Sequence, residues 1–250
     1  MTDLIVFLPC FNEEENITSL ISSWISKSYA LSIIGYKIKI YGIDDCSCDH
    51  TKEKIKEMAD ENDNVCLISH ENNKGLSGGL NTAINTFLKI VDSGSFMVLM
   101  DGDNTHDPKY IFDMLTKINQ GFDCVIASRY CDQSNVVGVS SIRKFLSDMA
   151  RIFYKLLLRV PNVEDYTCGY RIYTYDIINK LVHKYGSHPV VEKSFACMME
   201  LLYKLFLSGA RFSEVGFELR YDNKKGTSKM KIMKTMRKSI ITAFRLNRHK

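Results

Sequence analysis

No apolar run in the 250-residue chain approaches the roughly 18–20 residues that a membrane-spanning helix needs, so a bundle of such helices is excluded. Only four prolines are present, and no stretch is rich in Pro, Gly or Ser, which excludes a low-complexity or collagen-like chain and leaves no linker between domains. Eight cysteines occur, at 10, 46, 48, 66, 124, 131, 168 and 197, but they form no C-x-x-C pair. That argues against a zinc site or a disulfide framework, and several lie in apolar runs where a free thiol behaves as a small buried hydrophobe. Reduced thiols in a cytoplasmic protein are expected. The N-terminal stretch MTDLIVFLPCFNEEE has an acid at position 3 and no basic segment, so no secretory leader is expected. The six histidines show no ligand spacing, and none is assigned to a metal. No internal repeat is visible. One domain over residues 1–228 with a basic tail at 229–250 is the simplest organisation.

What is present is an alternation. Leu4 to Pro9, Lys37 to Ile43, Val65 to Ser69, Phe96 to Met100 and Asp123 to Ser128 read as strands, separated by helical patterns. Asn12 is expected to cap a helix whose first turn is Glu13-Glu14-Glu15. Asp49 is expected to cap a helix running to about Asn62, a further helix spans about Gly78 to Val91, and Pro108 suits a first helical position. After about residue 140 the pattern becomes helical and amphipathic. Strands alternating with helices of this length predict an α/β fold with a mostly parallel, Rossmann-like sheet flanked by helices. Ligands of such sheets sit beyond the carboxyl ends of the strands. The polar clusters Phe11-Asn12-Glu13, Asp44-Asp45 and Asp101-Gly102-Asp103 each follow a strand, so all three fall on one edge.

Asp101 and Asp103 are two apart, a spacing that sends both carboxylates to one side of an extended chain. Hard cations such as Mg²⁺ or Mn²⁺ take oxygen ligands, usually one or two carboxylates plus substrate phosphates. Gly102 between them would let a nucleotide approach the backbone. For an isolated D-x-D, a solvated acidic loop is the commoner reading. Asp44-Asp45 could accept hydrogen bonds from a base or a ribose, or could simply shape a turn. Arg129, at the end of the fifth strand, could grip a diphosphate or lie on the surface.

The segments PCFNEEENI from Pro9, IDDCSCDHT from Ile43, NKGLSGGLNTAI from Asn73, MDGDNTHDP from Met100, ASRY from Ala127, DYTCGYR from Asp165, MELLYKLFLSGARFSEV from Met199 and LRYDNKKGTSKMK from Leu219 follow one another over nearly the whole chain. In that order and spacing the chain resembles the family 2 glycosyltransferases of GT-A fold, in particular the dolichyl-phosphate and polyprenyl-phosphate hexosyltransferases. The resemblance implies that Pro9, Phe11 and Glu13 line a nucleotide pocket, and that Ile43 and Asp45, with Asp44 beside them, hold base or ribose. It implies that Asp101 and Gly102 contact the nucleotide and that Asp103 ligates Mg²⁺ or Mn²⁺, with Asp101 and Thr105 as further ligand candidates. Arg129, Arg220 and Lys229 would contact phosphates, while Asp165, Arg171 and Glu200 would face the sugar or the acceptor. The family often has Gln where Thr105 stands and Gly where Cys46 stands.

The activity so implied is inverting transfer of a hexose from GDP-mannose or a UDP-sugar to a polyprenyl phosphate. The alternatives are transfer to a hydroxyl of a glycolipid or polysaccharide, with Glu200 as base, or a catalytically silent nucleotide-sugar-binding protein. No glycine-rich phosphate loop of the nucleotidyltransferase kind follows the first strand, and no nucleic-acid partner is expected. From Lys229 to Lys250 there are eight Lys/Arg and no acid, interleaved with apolar residues at near-helical spacing. An amphipathic helix lying on anionic lipid, peripheral to the inner face of a membrane, is expected there. A second basic stripe, Arg151, Lys155 and Arg159, either does the same or is a solvated face.

Overall fold

The computed structural model describes residues 1–132, 134–139, 141–220 and 232–248, with the side chains of 142–143 and 232–236 outside that description. Lys229 therefore lies outside the described residues, as does the expected boundary at 228/229.

The central sheet has seven strands. In chain order they are β1 (Thr2–Cys10), β2 (Tyr36–Asp44), β3 (Val65–Ser69), β4 (Phe96–Leu99), β5 (Cys124–Ser128), β7 (Arg171–Thr174) and β8 (Phe212–Gly216), arranged 3-2-1-4-7-5-8. A separate parallel pair joins β6 (Asn135–Val137) to β9 (Glu218–Arg220). All five predicted strands are present, and the sheet is parallel except for β7, which runs antiparallel between β4 and β5. β1 is a continuous apolar run because both of its faces are covered: Leu4, Val6, Phe7 and Leu8 are fully buried.

The helices are α1 (Ile17–Ile25), α2 (Ser28–Ile33), α3 (Thr51–Glu61), α4 (Gly75–Ile90), α5 (Ile111–Asn119), α6 (Ser141–Leu158), α7 (Tyr175–Tyr185), α8 (Cys197–Leu207) and α9 (Ile232–Asn247). Pro108 opens a 3₁₀ turn that runs into α5, as its fixed φ favours. The α9 helix packs against α6 and α8.

Three helix starts differ from the prediction: α4 begins at Gly75, ahead of Gly78, α3 has His50 and not Asp49 at its N-cap, and α1 starts late. Asn12 does not cap α1; it lies in the left-handed region at φ 55°, and the helix begins only at Ile17. Asn12 is occupied elsewhere, because its amide donates to Ser47 Oγ (2.9 Å) and its side-chain carbonyl accepts from Cys48 N (2.8 Å). The glutamates after it are tied to the start of α3, Glu13 N donating to Thr51 Oγ1 (2.7 Å) and Glu14 N to Asp49 Oδ2 (3.2 Å). Cys46 is also left-handed, at φ 60°, which explains why a glycine suits that position: it has no Cβ to oppose the conformation.

Candidate nucleotide and metal site

The parallel register brings the predicted clusters level. Cys10 pairs with Asp44 at the shared end of β1 and β2, and Asp45 N donates to Cys10 O (2.9 Å). Met100 N donates to Phe7 O (3.1 Å), so the Asp101-Gly102-Asp103 turn leaves the sheet beside the end of β1. Burial first, and then the charges of Glu13, Asp44, Asp103 and Asp101, push the Cys10 thiol pKa well up. Glu13, Asp44, Asp101 and Asp103 thus all lie near enough to Cys10 to oppose its ionisation, although among the described residues no three acidic, His or Cys side chains are already drawn together as a metal-binding group. Carboxylate oxygens are the donors that Mg²⁺ or Mn²⁺ takes while sharing its coordination with phosphates, and the turn after β4 carries two of them, Asp101 and Asp103. Pro9 and Ile43 pair across the same strand ends, and Phe11 stands half exposed at the rim.

The turn is shaped by two glycines. A Cβ on Gly102 would sit 2.5 Å from Cys10 Sγ and 3.1 Å from Pro9 O. The close neighbour that Gly102 admits is therefore β1, where the sequence had suggested a nucleotide. A Cβ on Gly169 would sit 2.5 Å from Asp101 Oδ2, so the Asp101 carboxylate lies directly over that backbone.

Thr105, predicted as a metal ligand, is buried and braces Asp103 instead. Its hydroxyl donates to Asp103 Oδ1 (2.7 Å), its amide adds a 3.2 Å bond to the same oxygen, and His106 Nδ1 lies 3.1 Å from the hydroxyl. With its proton on Asp103 and its lone pair facing the imidazole, this hydroxyl is spent on positioning. Burial holds His106 neutral, lowering its pKa to about 4 although Asp103 opposes the shift, and the ring stacks on Phe217 at 5.1 Å.

Asp45 also takes a structural task. It is buried, with Oδ1 accepting from Lys74 N (2.8 Å) and Oδ2 from Gly75 N (2.8 Å), which fastens the start of α4. His70 Nδ1 lies 2.7 Å from Oδ1, and with that nitrogen as donor Nε2 accepts from the Thr82 hydroxyl at 2.8 Å. Of the two readings of the acidic pair, the turn-shaping one describes Asp45. Asp44, 1% exposed, takes Ser47 N at 3.3 Å and lies near Cys10.

Arg129 and Asp165 form a forked pair, Nε to Oδ2 at 2.7 Å and Nη2 to Oδ1 at 2.6 Å, with Nη2 also donating to Thr167 Oγ1 (2.7 Å). Asp165 is fully buried, which corrects the expectation that it faces a substrate. Burial alone would raise its carboxyl pKa, but the Arg129 charge and hydrogen bonds outweigh that and bring it down to about 2. The Arg129 side chain keeps 20% of its surface exposed and is the cation this pair presents outward. Two further predicted residues are buried and bonded to the chain itself. Arg171 is fully buried in β7, donating to Met198 O (2.9 Å) and Tyr166 O (3.0 Å). Glu200 is 1% exposed; its Oε2 accepts from Val191 N (2.9 Å) and Glu192 N (2.7 Å), and its Oε1 pairs with Lys204 Nζ (2.9 Å). Both carboxylate oxygens are thereby engaged in holding the loop before α8. Arg220 comes close to the site through its backbone, donating to Thr105 O (3.2 Å), and its side chain lines a cleft of about 230 Å³ beside Asn104 and Thr105.

Sequence reasoning missed Glu214. Its Oε1 accepts from Glu164 N and Asp165 N, both at 2.8 Å, and so sets the loop that carries Asp165. Burial raises its pKa. A lone acid within the apolar stretch FSEVG was the available signal.

A sheet of this order, ending in an acidic turn beside β1, defines a GT-A type α/β fold. Residues 5–182 match Glycosyl transferase family 2, and the chain belongs to that family. It is 30% identical over 200 residues to the dolichol-phosphate mannosyltransferase of Pyrococcus furiosus, covering 80% of this chain and 52% of that protein, so it spans about half the length of that relative. It is 27% identical over 232 residues to the polyprenol monophosphomannose synthase of Mycolicibacterium smegmatis, covering 90% of this chain and 80% of that one. Among solved structures, glucosyl-3-phosphoglycerate synthase from Mycobacterium tuberculosis, crystallised with Mn²⁺, UDP and glucosyl-3-phosphoglycerate, superposes with a TM-score of 0.68 at 16% identity, covering 98% of this chain and 80% of that one. Mannosyl-3-phosphoglycerate synthase from Rubrobacter xylanophilus does so with a TM-score of 0.61 at 13% identity, covering 99% and 75%.

Proposed function

We propose that the chain transfers a hexose, with inversion, from GDP-mannose or a UDP-sugar to a polyprenyl phosphate, working peripherally at the cytoplasmic face of a membrane. The observation that carries this reading is the sheet register, which sets Cys10 level with Asp44 and brings the Asp101-Gly102-Asp103 turn beside the end of β1, with Arg129 as a partly exposed cation after β5. The names of the two sequence relatives support the acceptor class. Mg²⁺ or Mn²⁺ held by Asp103, with Asp101 beside it, would neutralise the departing diphosphate. Around it the chain orients and neutralises: Thr105 fixes the Asp103 carboxylate, Asp165 fixes the Arg129 fork, and Phe11 borders the pocket. Lys229 and Arg220 are proposed as further phosphate contacts.

The acceptor reading gains support from Glu200. A phosphate monoester is already anionic near neutral pH, since its second pKa is about 6, and needs no base to attack the anomeric carbon. A hydroxyl acceptor needs one, and the Glu200 carboxylate is already committed to two amides and Lys204. Glu200→Gln should therefore lower the melting temperature while keeping kcat for a polyprenyl phosphate within about tenfold of the native value. Steady-state assays with radiolabelled donor measure this. A loss of three orders of magnitude in kcat would instead favour the hydroxyl acceptor and a glycolipid- or polysaccharide-directed transferase.

A further inference from the structure

The apolar surface of α6 is left uncovered. Phe145, Met149, Ile152 and Leu156 are 63, 50, 48 and 68% exposed, and their spacing of four, three and four residues places them on a single helical stripe. The buried side of α6 is the opposite one, where Tyr154 and Leu158 sit. Beside this stripe lies α9, joined to α6 by the edge-on contact of Phe153 with Phe244 at 5.7 Å. The α9 helix has the same split character: Ser239, Thr242, Ala243 and Leu246 are buried, while Ile241 and Phe244 are 57 and 50% exposed. On that exposed side Arg237, Lys238, Arg245 and Arg248 are exposed too, and Ile232–Asn247 contains no acid. Two adjoining helices therefore present large apolar side chains with a mainly basic border, supplied by α9, and Asp148 of α6 beside the stripe.

We propose that this outer face of α6 and α9 is a lipid-binding surface that seats on an anionic bilayer. Apolar residues bordered by exposed cations, of which Arg245 also pairs with Glu192, match the acyl and headgroup layers of such a surface, whereas a second copy of this chain would bring like charge against like. The expected division of labour is corrected in one respect. The basic stripe of α6 is not the lipid contact, because Arg151 and Lys155 turn to Glu164 and Arg151 also lies 4.5 Å over the Tyr130 ring. It is the apolar stripe of α6 and the cations of α9 that face outward.

The same two helices are bonded to the site on both sides. Tyr130, next to Arg129, shares a 2.7 Å hydrogen bond with Ser147 of α6. Glu192, in the loop that Glu200 holds, accepts from Thr242 Oγ1 (2.8 Å) and Arg245 Nη2 (3.2 Å) of α9. A bilayer seated on this face is thus kept next to Arg129 and the loop before α8, where the headgroup phosphate of an acceptor embedded in it would arrive. That last step rests on the lipid-phosphate acceptor proposed above; the surface itself does not.

The test is co-sedimentation of the full chain with phosphatidylcholine vesicles, with and without phosphatidylglycerol, for the native chain and for Met149→Glu/Leu156→Glu/Ile241→Glu. The native chain should sediment with phosphatidylglycerol vesicles. The triple variant should lose at least about tenfold in partitioning, since each side chain forfeits most of its apolar transfer free energy. Its melting temperature and its transfer to a water-soluble short-chain prenyl phosphate should stay unchanged, because none of the three side chains is buried or near the acids at the strand ends. Native protein left in the supernatant, or a variant that sediments like the native chain, overturns the surface; so does a native dimer that the variant dissolves while neither binds vesicles. Transfer to the short-chain acceptor without vesicle binding would remove the surface and leave the reaction standing. Vesicle binding without transfer to any lipid phosphate would do the reverse.

Discussion

Asp103→Ala should reduce kcat/KM by about a thousandfold or more, since a cation that offsets leaving-group charge is worth several kcal/mol in the transition state. The reason lies in how firmly this carboxylate is placed. Thr105 contributes both its amide and its hydroxyl to Oδ1, and His106 backs the hydroxyl from a buried stack on Phe217. Asp103 itself is only partly buried and outside the apolar core, so the variant should still fold, with a melting temperature lowered only by the loss of the Thr105 hydrogen bonds. Kinetics with added Mn²⁺, alongside circular dichroism, separate the two effects. A variant with native kcat/KM would remove Asp103 from the chemistry.

Asp165→Asn should cost about 3–5 kcal/mol of folding stability, because it leaves the Arg129 guanidinium partly buried beside a neutral group. The carboxylate also accepts from the amides of Arg129, Thr167 and Cys168, and an amide side chain offers one acceptor oxygen where two were used. The pH dependence follows from the direction of the shift. The folded pKa of about 2 lies below the ordinary 3.8, so this stabilisation is fully present above pH 3.8. It is lost as pH falls through 2, a difference of roughly 2 kcal/mol. Urea titrations of the native chain between pH 5 and 2 should show that loss, and the Asn variant should not. Equal stability of the two at pH 7 would contradict the assignment.

The strands and the edge they share were legible because parallel central strands are continuous apolar runs, and each predicted one is followed at once by polar residues. Nothing local in those residues reports which strand neighbours which, yet the register of Cys10 with Asp44 follows once the alternation is read as a parallel sheet. The strands β6, β7, β8 and β9 were missed: at three to five residues they carry too little alternation to stand out from their surroundings. The site was half legible. Residue type and position picked out acids that lie at one edge of the sheet but not the direction each one faces. Asp45, Asp165, Arg171 and Glu200 look like ligand-binding residues in the sequence, yet each finds its partner in a distant amide, carbonyl or charge: Asp45 at Gly75, Asp165 at Arg129, Arg171 at Met198 and Glu200 at Val191. Those partners are set by tertiary packing, which no local pattern encodes. Gly102 and Gly169 show the same limit, since a glycine announces a close approach without naming what approaches.

The measurement that bears most directly on the acids at the strand ends is a thermal-shift matrix of the native chain against UDP- and GDP-sugars, with Mn²⁺ and with EDTA. Binding to the native state raises the melting temperature in proportion to occupancy. One class of donor should raise it by several degrees with Mn²⁺, and by little once EDTA removes the cation. An equal shift in EDTA, or no shift with either class of donor, would contradict a site in which these acids hold a nucleotide diphosphate through a divalent ion.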